Sequence, residues 1–267
     1  MKNLFLALLG SVLLLACSKK SNDTKPSENK IPIMIEFDNI VGGKKLLLDQ
    51  TFYTNQHSEQ YNIQKLQYFI SNIILTNSNG SNYVVPQDSS YFLVKQNVSA
   101  SKYAQVQVPE GDYTHLTFTL GVDSLRNTKD LSERTGVLDP SGDEDGSMYW
   151  GWNSGYIFFM MEGSSNAIAK DATGLQKYRY HIGGFGGYSS PTINNIKTIK
   201  LDLRNRGIAQ VRANRKANIH LLVDIAKVLD GTNKISLANN PQVMFSAFSV
   251  NVANNFVEMF THDHTEN

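Results

Sequence analysis

The chain has 267 residues, 25 Lys and Arg against 24 Asp and Glu, and a single cysteine. Such an even balance gives no electrostatic basis for binding nucleic acid or an acidic substrate, and one cysteine excludes an internal disulfide. The length suffices for one large β domain or two small ones.

At the N-terminus, residues 1–16 read as a signal peptide, with Lys2 as its positive start and an uncharged apolar run over residues 4–15. That run is too short to span a bilayer. It closes on Leu14-Leu15-Ala16-Cys17, which resembles a lipobox: cleavage after Ala16 leaves Cys17 to carry diacylglycerol. This use accounts for a thiol that would otherwise be a liability in an oxidising compartment. The other reading is an ordinary secretory signal followed by an accidental cysteine. Removing the leader takes away Lys2 and leaves 24 charges of each sign. Residues 17–30 carry no large apolar side chain, cannot bury enough surface to offset their ordering entropy, and read as a disordered tether. The expected product is a lipoprotein of the cell envelope, held at the outer membrane and facing the periplasm or the surface.

Residues 31–267 read as a single domain with no second linker and no internal repeat. Short apolar runs rich in Ile, Val, Tyr and Phe, bounded by Asn, Gly, Ser and Pro, recur throughout it, which is the pattern of strands. They predict strands near residues 31–37, 46–53, 66–76, 83–94, 104–108, 113–120, 149–162, 177–182, 196–203, 217–225 and 243–250. Asn79-Gly80 predicts a tight hairpin, since both residues tolerate positive φ, and Pro109-Glu110-Gly111-Asp112 a second turn. Helical periodicity is confined to residues 223–229 and 253–260, where Phe256, Met259 and Phe260 share a face. The expected fold is all-β, an antiparallel β sandwich with a few short helices.

No Gly-x-Ser-x-Gly elbow, phosphate loop, His-Glu-x-x-His or dinucleotide fingerprint occurs. Gly183-Gly184-Phe185-Gly186-Gly187 fails the last by its spacing. The chain is therefore not expected to be an enzyme. The acidic loop at residues 139–146 invites a calcium reading, but Ser141 stands where an EF-hand loop begins with Asp, and Trp152 where it ends with Glu. A solvated turn is the expected outcome.

Both tryptophans fall in Met148-Tyr149-Trp150-Gly151-Trp152-Asn153-Ser154-Gly155-Tyr156. If this segment is extended, Met148, Trp150 and Trp152 share one face, as a core ladder or as part of a soft-metal or redox site. His181 alternates away from Tyr180 and Ile182 and precedes flexible glycines, so it faces either a groove or the solvent. His220 alternates with Ile219 and Leu221 in the same way. His262 and His264 flank Asp263, which puts both imidazoles on one side of an extended tail and leaves a carboxylate to orient a ring; a frayed tail is the alternative. His57 and His115 read as solvent residues. An assembled site of imidazoles with a thioether or aromatic ring nearby would suit copper.

Six motifs occur in order along the chain: Leu66-Gln67-Tyr68-Phe69-Ile70-Ser71-Asn72-Ile73, Gly121-Val122-Asp123-Ser124 with Asn127, Leu138-Asp139-Pro140, the tryptophan segment, His181-Ile182-Gly183-Gly184, and Met259-Phe260 with Asp263-His264. Together they resemble the MbnP-like family, named for a periplasmic copper-binding protein of methanobactin operons. The resemblance implies a β-rich copper-binding or copper-trafficking module. For some members it also implies a tryptophan oxidised to kynurenine by a di-haem, MauG-like partner enzyme. It assigns Met148, Trp150, Trp152 and His181 to the site and leaves open which tryptophan is modified. Two departures stand out: Phe92 occupies the position after Tyr91 where the family pattern has histidine, and the cysteine that comes after the glycines in operon members is missing. A different ligand set drawn from His220, His262 or His264, or a structural or ligand-binding sandwich without metal, are the alternatives this leaves.

Overall fold

The computed structural model describes residues 29–141, 148–152 and 155–267. The expected signal peptide, Cys17 and nearly all of the expected tether lie outside the described residues. The principal strands are β1 (Lys30–Val41), β2 (Lys65–Asn77), β3 (Tyr91–Lys95), β4 (Tyr103–Pro109), β5 (Gly111–Leu120), β6 (Tyr149–Trp150), β7 (Gly155–Ser164), β8 (Lys177–Gly183), β9 (Lys197–Asp202), β10 (Asn218–Asp224) and β11 (Phe260–Glu266). Short helices are α1 (Ser124–Asn127), α2 (Lys227–Asp230) and α3 (Ser249–Asn255). The all-β sandwich with few helices is what the sequence predicts.

In β1, buried Ile31, Ile33, Ile35 and Phe37 alternate with half-exposed Met34, Glu36 and Asp38, the period of a strand with one dry face. The smaller, five-stranded sheet runs β11-β10-β1-Lys44–Lys45, with β4 also on β1. β1 pairs antiparallel with β4 but parallel with β10, in register from Met34↔Asn218 to Ile40↔Asp224. That parallel pair departs from the purely antiparallel expectation and brings β10, from late in the chain, beside β1. The larger, ten-stranded sheet takes the path β9-β5-β2-β7-β8-Gln242–Val243. Between the sheets the rings of Phe37, Tyr68, Phe118 and Phe260 meet edge to face, with centroids 5.0–6.4 Å apart.

Several expected strands are cut by local chemistry. Residues 46–52 form a loop, because Asp49 takes φ +59° and interrupts the extended run, and only Tyr53 at its end is extended, in the short strand Tyr53–Thr54. Residues 83–94 divide into Asn82–Val84 and β3 around Pro86, where Gln87–Ser89 makes a 3-10 turn. Both halves still pair with β2, and Gly80 takes φ +87° in the expected Asn-Gly hairpin. Residues 149–162 divide into β6 and β7, which pair with each other. Residues 243–250 are not a strand: only Gln242–Val243 is extended, and α3 comes next with Val252 and Ala253 buried. The helical period near residues 253–260 belongs to α3 and the 3-10 turn Phe256–Glu258, after which Phe260 opens β11. The tail is thus a paired strand.

One buried carboxylate ties the early loops to the late ones. Glu59 accepts hydrogen bonds from Asn55 Nδ2 (2.6 Å), Ser236 Oγ (2.7 Å), Leu237 N (2.7 Å) and Ala238 N (3.1 Å). Burial pushes its carboxyl up, but the bonds from Ser236, Asn55, Leu237 and Ala238 outweigh burial and hold it below its ordinary value. A carboxylate with a depressed folded pKa stabilises the fold above its unfolded value of 4.5 and loses that contribution as pH falls through and below it. Glu59→Gln turns an amide toward these donors and is expected to cost about 2–3 kcal/mol at pH 7. The gap in denaturant midpoint between the two proteins should be full at pH 7 and close as pH falls below 4.5 through the lower folded value, which midpoints measured over a descending pH series check.

Candidate functional site

Turn β6 folds back on β7 with Tyr149 opposite Tyr156 and Trp150 opposite Gly155. Met148 and Trp150 are buried, Trp150 at 5% exposure, whereas Trp152 is 67% exposed with its ring 5.3 Å from that of Trp150. The expected common face therefore breaks after Trp150: two of its members are core and the third lies open. Phe245 lies edge-on to both indoles, at 6.3 and 6.5 Å. Gly183, at the end of β8, is required by this packing, since a Cβ there would lie 2.7 Å from Trp150 Cζ3 and 2.3 Å from the Tyr156 carbonyl oxygen. Asn153 and Ser154 lie outside the described residues, as do residues 142–147 of the acidic loop. Of that loop, Asp139 is described, accepting from the Ser141 backbone N–H and Oγ at 2.9 and 2.7 Å.

The Gly121–Asn127 motif serves as a brace for the tryptophan turn. Asp123 caps α1 by accepting from the Arg126 N–H at 3.0 Å and holds the Tyr91 hydroxyl at 2.5 Å. Asn127 donates to the Val122 carbonyl at 2.7 Å and accepts from the Tyr156 N–H at 3.0 Å, and the Tyr156 hydroxyl donates to Leu138 O at 2.5 Å. Burial, then Asp123, pushes the Tyr91 phenol up. Phe92 packs partly buried against the core, so no imidazole enters at that position.

His181 lies on the outward face of β8. Its Nε2 is 2.6 Å from Glu162 Oε1 on β7, and this bond, against burial, holds the Glu162 carboxyl below its ordinary value. The imidazole is thus engaged with a carboxylate rather than open to a groove. Directly opposite in the register is Met160, on the same side of the sheet but buried at 4% exposure. The sequence hides this neighbour, because Met160 lies inside the unbroken apolar run Tyr156-Ile157-Phe158-Phe159-Met160-Met161.

His220 and His264 belong to the other sheet. They pair directly across β10 and β11 with ring centroids 4.8 Å apart and Nδ1 atoms 3.3 Å apart. Asp263 Oδ2 is 3.2 Å from His220 Nδ1 and 2.8 Å from His264 Nδ1. His220, Asp263 and His264 form the one His/Cys/Asp/Glu cluster with metal-holding spacing among the described residues. The hydrogen bond that Asp263 accepts from His264 raises the His264 imidazole and lowers the Asp263 carboxyl. Against expectation, His262 does not share this side. The register shifts between His220 and Leu221, which pair with His264 and His262, leaving Asp263 as an inserted residue. His262 is buried instead, with Nε2 2.9 Å from Thr265 Oγ1 and Nδ1 without a partner, and burial lowers its imidazole. His57 is exposed, and His115 bonds Thr114 Oγ1 at 3.0 Å.

The sequence candidates therefore fall into two groups on different sheets: Met148, Trp150, Trp152 and His181 on the larger, His220 and His264 on the smaller. If Trp150 is core and Trp152 an open platform, Trp150→Ala should destabilise by about 3–5 kcal/mol and Trp152→Ala by less than about 1 kcal/mol. Denaturant midpoints of the two variants measure this.

Comparison with known proteins bears on the larger-sheet group. The family model described as MbnP matches residues 30–245, a span that includes the tryptophan segment and His181 but ends before β11. Among solved structures the chain is similar to MbnP from Methylosinus trichosporium, at 15% identity, over 78% of this chain and 80% of that one, with a TM-score of 0.52. At that identity the likeness speaks for the fold. No curated protein matches.

Proposed function

The chain belongs to the MbnP family, and on that premise we propose that it is a cell-envelope protein that binds or traffics copper, held at the outer membrane by lipid on Cys17. Copper is its cargo, and no catalytic step is assigned to it. The observation that carries the reading is the exposed Trp152, its ring tilted against that of buried Trp150 next to the β8 strand end. A partner oxidase of the di-haem, MauG-like type can reach Trp152 at the surface, whereas Trp150 is closed in. Conversion to kynurenine adds a carbonyl and an aryl amine at the rim. On this face the donors that suit copper are the His181 imidazole, once released from Glu162, and the Met160 thioether beside it.

A second reading, a structural or ligand-binding sandwich without metal, draws on Phe92 and on the Glu162 carboxylate that already occupies His181. Metal analysis and intact-mass measurement of the protein from its native host separate the two. Copper together with a gain of a few daltons that vanishes in Trp152→Phe supports the first reading. A metal-free protein with both tryptophans unmodified removes it. For the anchor, Cys17→Ala should move the protein out of the membrane fraction or leave it uncleaved, since one acylated cysteine is the only anchor the sequence displays.

A further inference from the structure

We infer that His220, Asp263 and His264 form a second metal site, for a borderline divalent cation, on the outward face of the smaller sheet. It lies on a different sheet from Trp152 and His181, and two of its three donors fall beyond residues 30–245, the span matched to the family. It stands whether or not the copper cargo proposed for the tryptophan face is correct.

The local backbone makes the site possible. In a regular strand neighbouring residues point to opposite faces, so Asp263 and His264 would be separated by the sheet. The irregularity opposite His220 inserts one residue into β11 and re-aims the side chains beyond it. Asp263 and His264 then both meet His220, while His262 turns inward. The separations of 2.8, 3.2 and 3.3 Å between the donor atoms define a triangle of circumradius about 1.8 Å. A point ~2.0 Å from all three therefore exists just above their plane, at the bond length of imidazole and carboxylate ligands to zinc or copper. The edges also approach those of a tetrahedron with such bonds, leaving the fourth position to water or a partner's ligand.

The surroundings fit the same use. With both Nδ1 atoms directed at an ion, each Nε2–H faces a carboxylate: Asp38 Oδ2 lies 3.9 Å from His220 Nε2, and Glu266 Oε1 lies 3.6 Å from His264 Nε2. Histidine ligands characteristically have such outer partners, which fix the tautomer and raise ligand basicity. Glu36, held by Tyr103 Oη at 3.0 Å and Asn218 Nδ2 at 2.9 Å, adds negative charge nearby. His264 is 46% and Asp263 34% exposed, so an ion enters directly from solvent. Two imidazoles and a carboxylate with no sulfur select copper(II) or zinc(II) over copper(I), and copper(II) is held tightest.

The test uses the full chain carrying Cys17→Ser, which removes the thiol as a competing donor. Copper(II) and zinc(II) are titrated by calorimetry, and the copper(II) form is examined by electron paramagnetic resonance. One equivalent is expected, with hyperfine structure from two imidazole nitrogens. His220→Ala and His264→Ala should each weaken binding at least about 30-fold, and Asp263→Asn about 10-fold. His181→Ala and Trp152→Phe should leave this equivalent unchanged, so loss of the tryptophan-face reading and loss of this one are distinguishable. Copper(II) should also raise the thermal midpoint of the parent and not that of His264→Ala, a readout that holds if a variant is less stable without metal. Equal affinity in the parent and in both histidine variants, or a spectrum without two imidazoles, overturns the site.

Discussion

Phe37, Tyr68, Phe118 and Phe260 come from four strands of two sheets and meet edge to face at the centre of the molecule. Edge-to-face packing of this kind adds to the large apolar area such rings bury, and it fixes which side of each strand is dry. Once Phe37 points inward, Glu36 and Asp38 must point outward, whereas His264, which regular alternation from Phe260 would turn inward, is carried outward by the extra residue at Asp263. Once Tyr68 and Phe159 are stacked inside, the neighbouring Met160 lies on the opposite face of the sheet, still buried at 4% exposure, opposite the half-buried His181. His181, His220, Asp263, His264 and Trp152 thus lie outside the aromatic core, whereas Met148, Trp150, Met160 and His262 are buried.

Departures from regular geometry then refine those faces. Gly183 lets Trp150 press against the β8 strand end, and the braces at Asp123 and Asn127 hold the turn that carries both indoles. The extra residue in β11 gathers Asp263 and His264 on His220. These are backbone features of single residues, and each decides whether a side chain is core or available to a ligand.

The two faces differ in the ions they suit. The tryptophan face of the larger sheet offers the His181 imidazole, already bonded to Glu162, with the buried Met160 thioether opposite it and an exposed indole near the end of the strand. The smaller offers two imidazoles and a carboxylate, ringed by further carboxylates. A soft monovalent ion matches the first and a borderline divalent ion the second. Phe92 fits this division, since it places no imidazole at that position of β3.

The sequence by itself determined the strand-rich fold, the inward and outward members of β1, β8 and β10, the Asn-Gly hairpin and the family, because period-two patterning, turn residues and short motifs are local. It also singled out both tryptophans and, as candidate ligands, His181, His220, His262 and His264. Only the tertiary structure decided which of them meet. The parallel pairing of β1 with β10, the seating of the C-terminal residues as a strand on β10, and the residue inserted at Asp263 depend on contacts distant in sequence. Alternation in an isolated tail puts His262 and His264 on one side. One inserted residue reverses that, because the side-chain period of a strand is two and any odd insertion exchanges its faces.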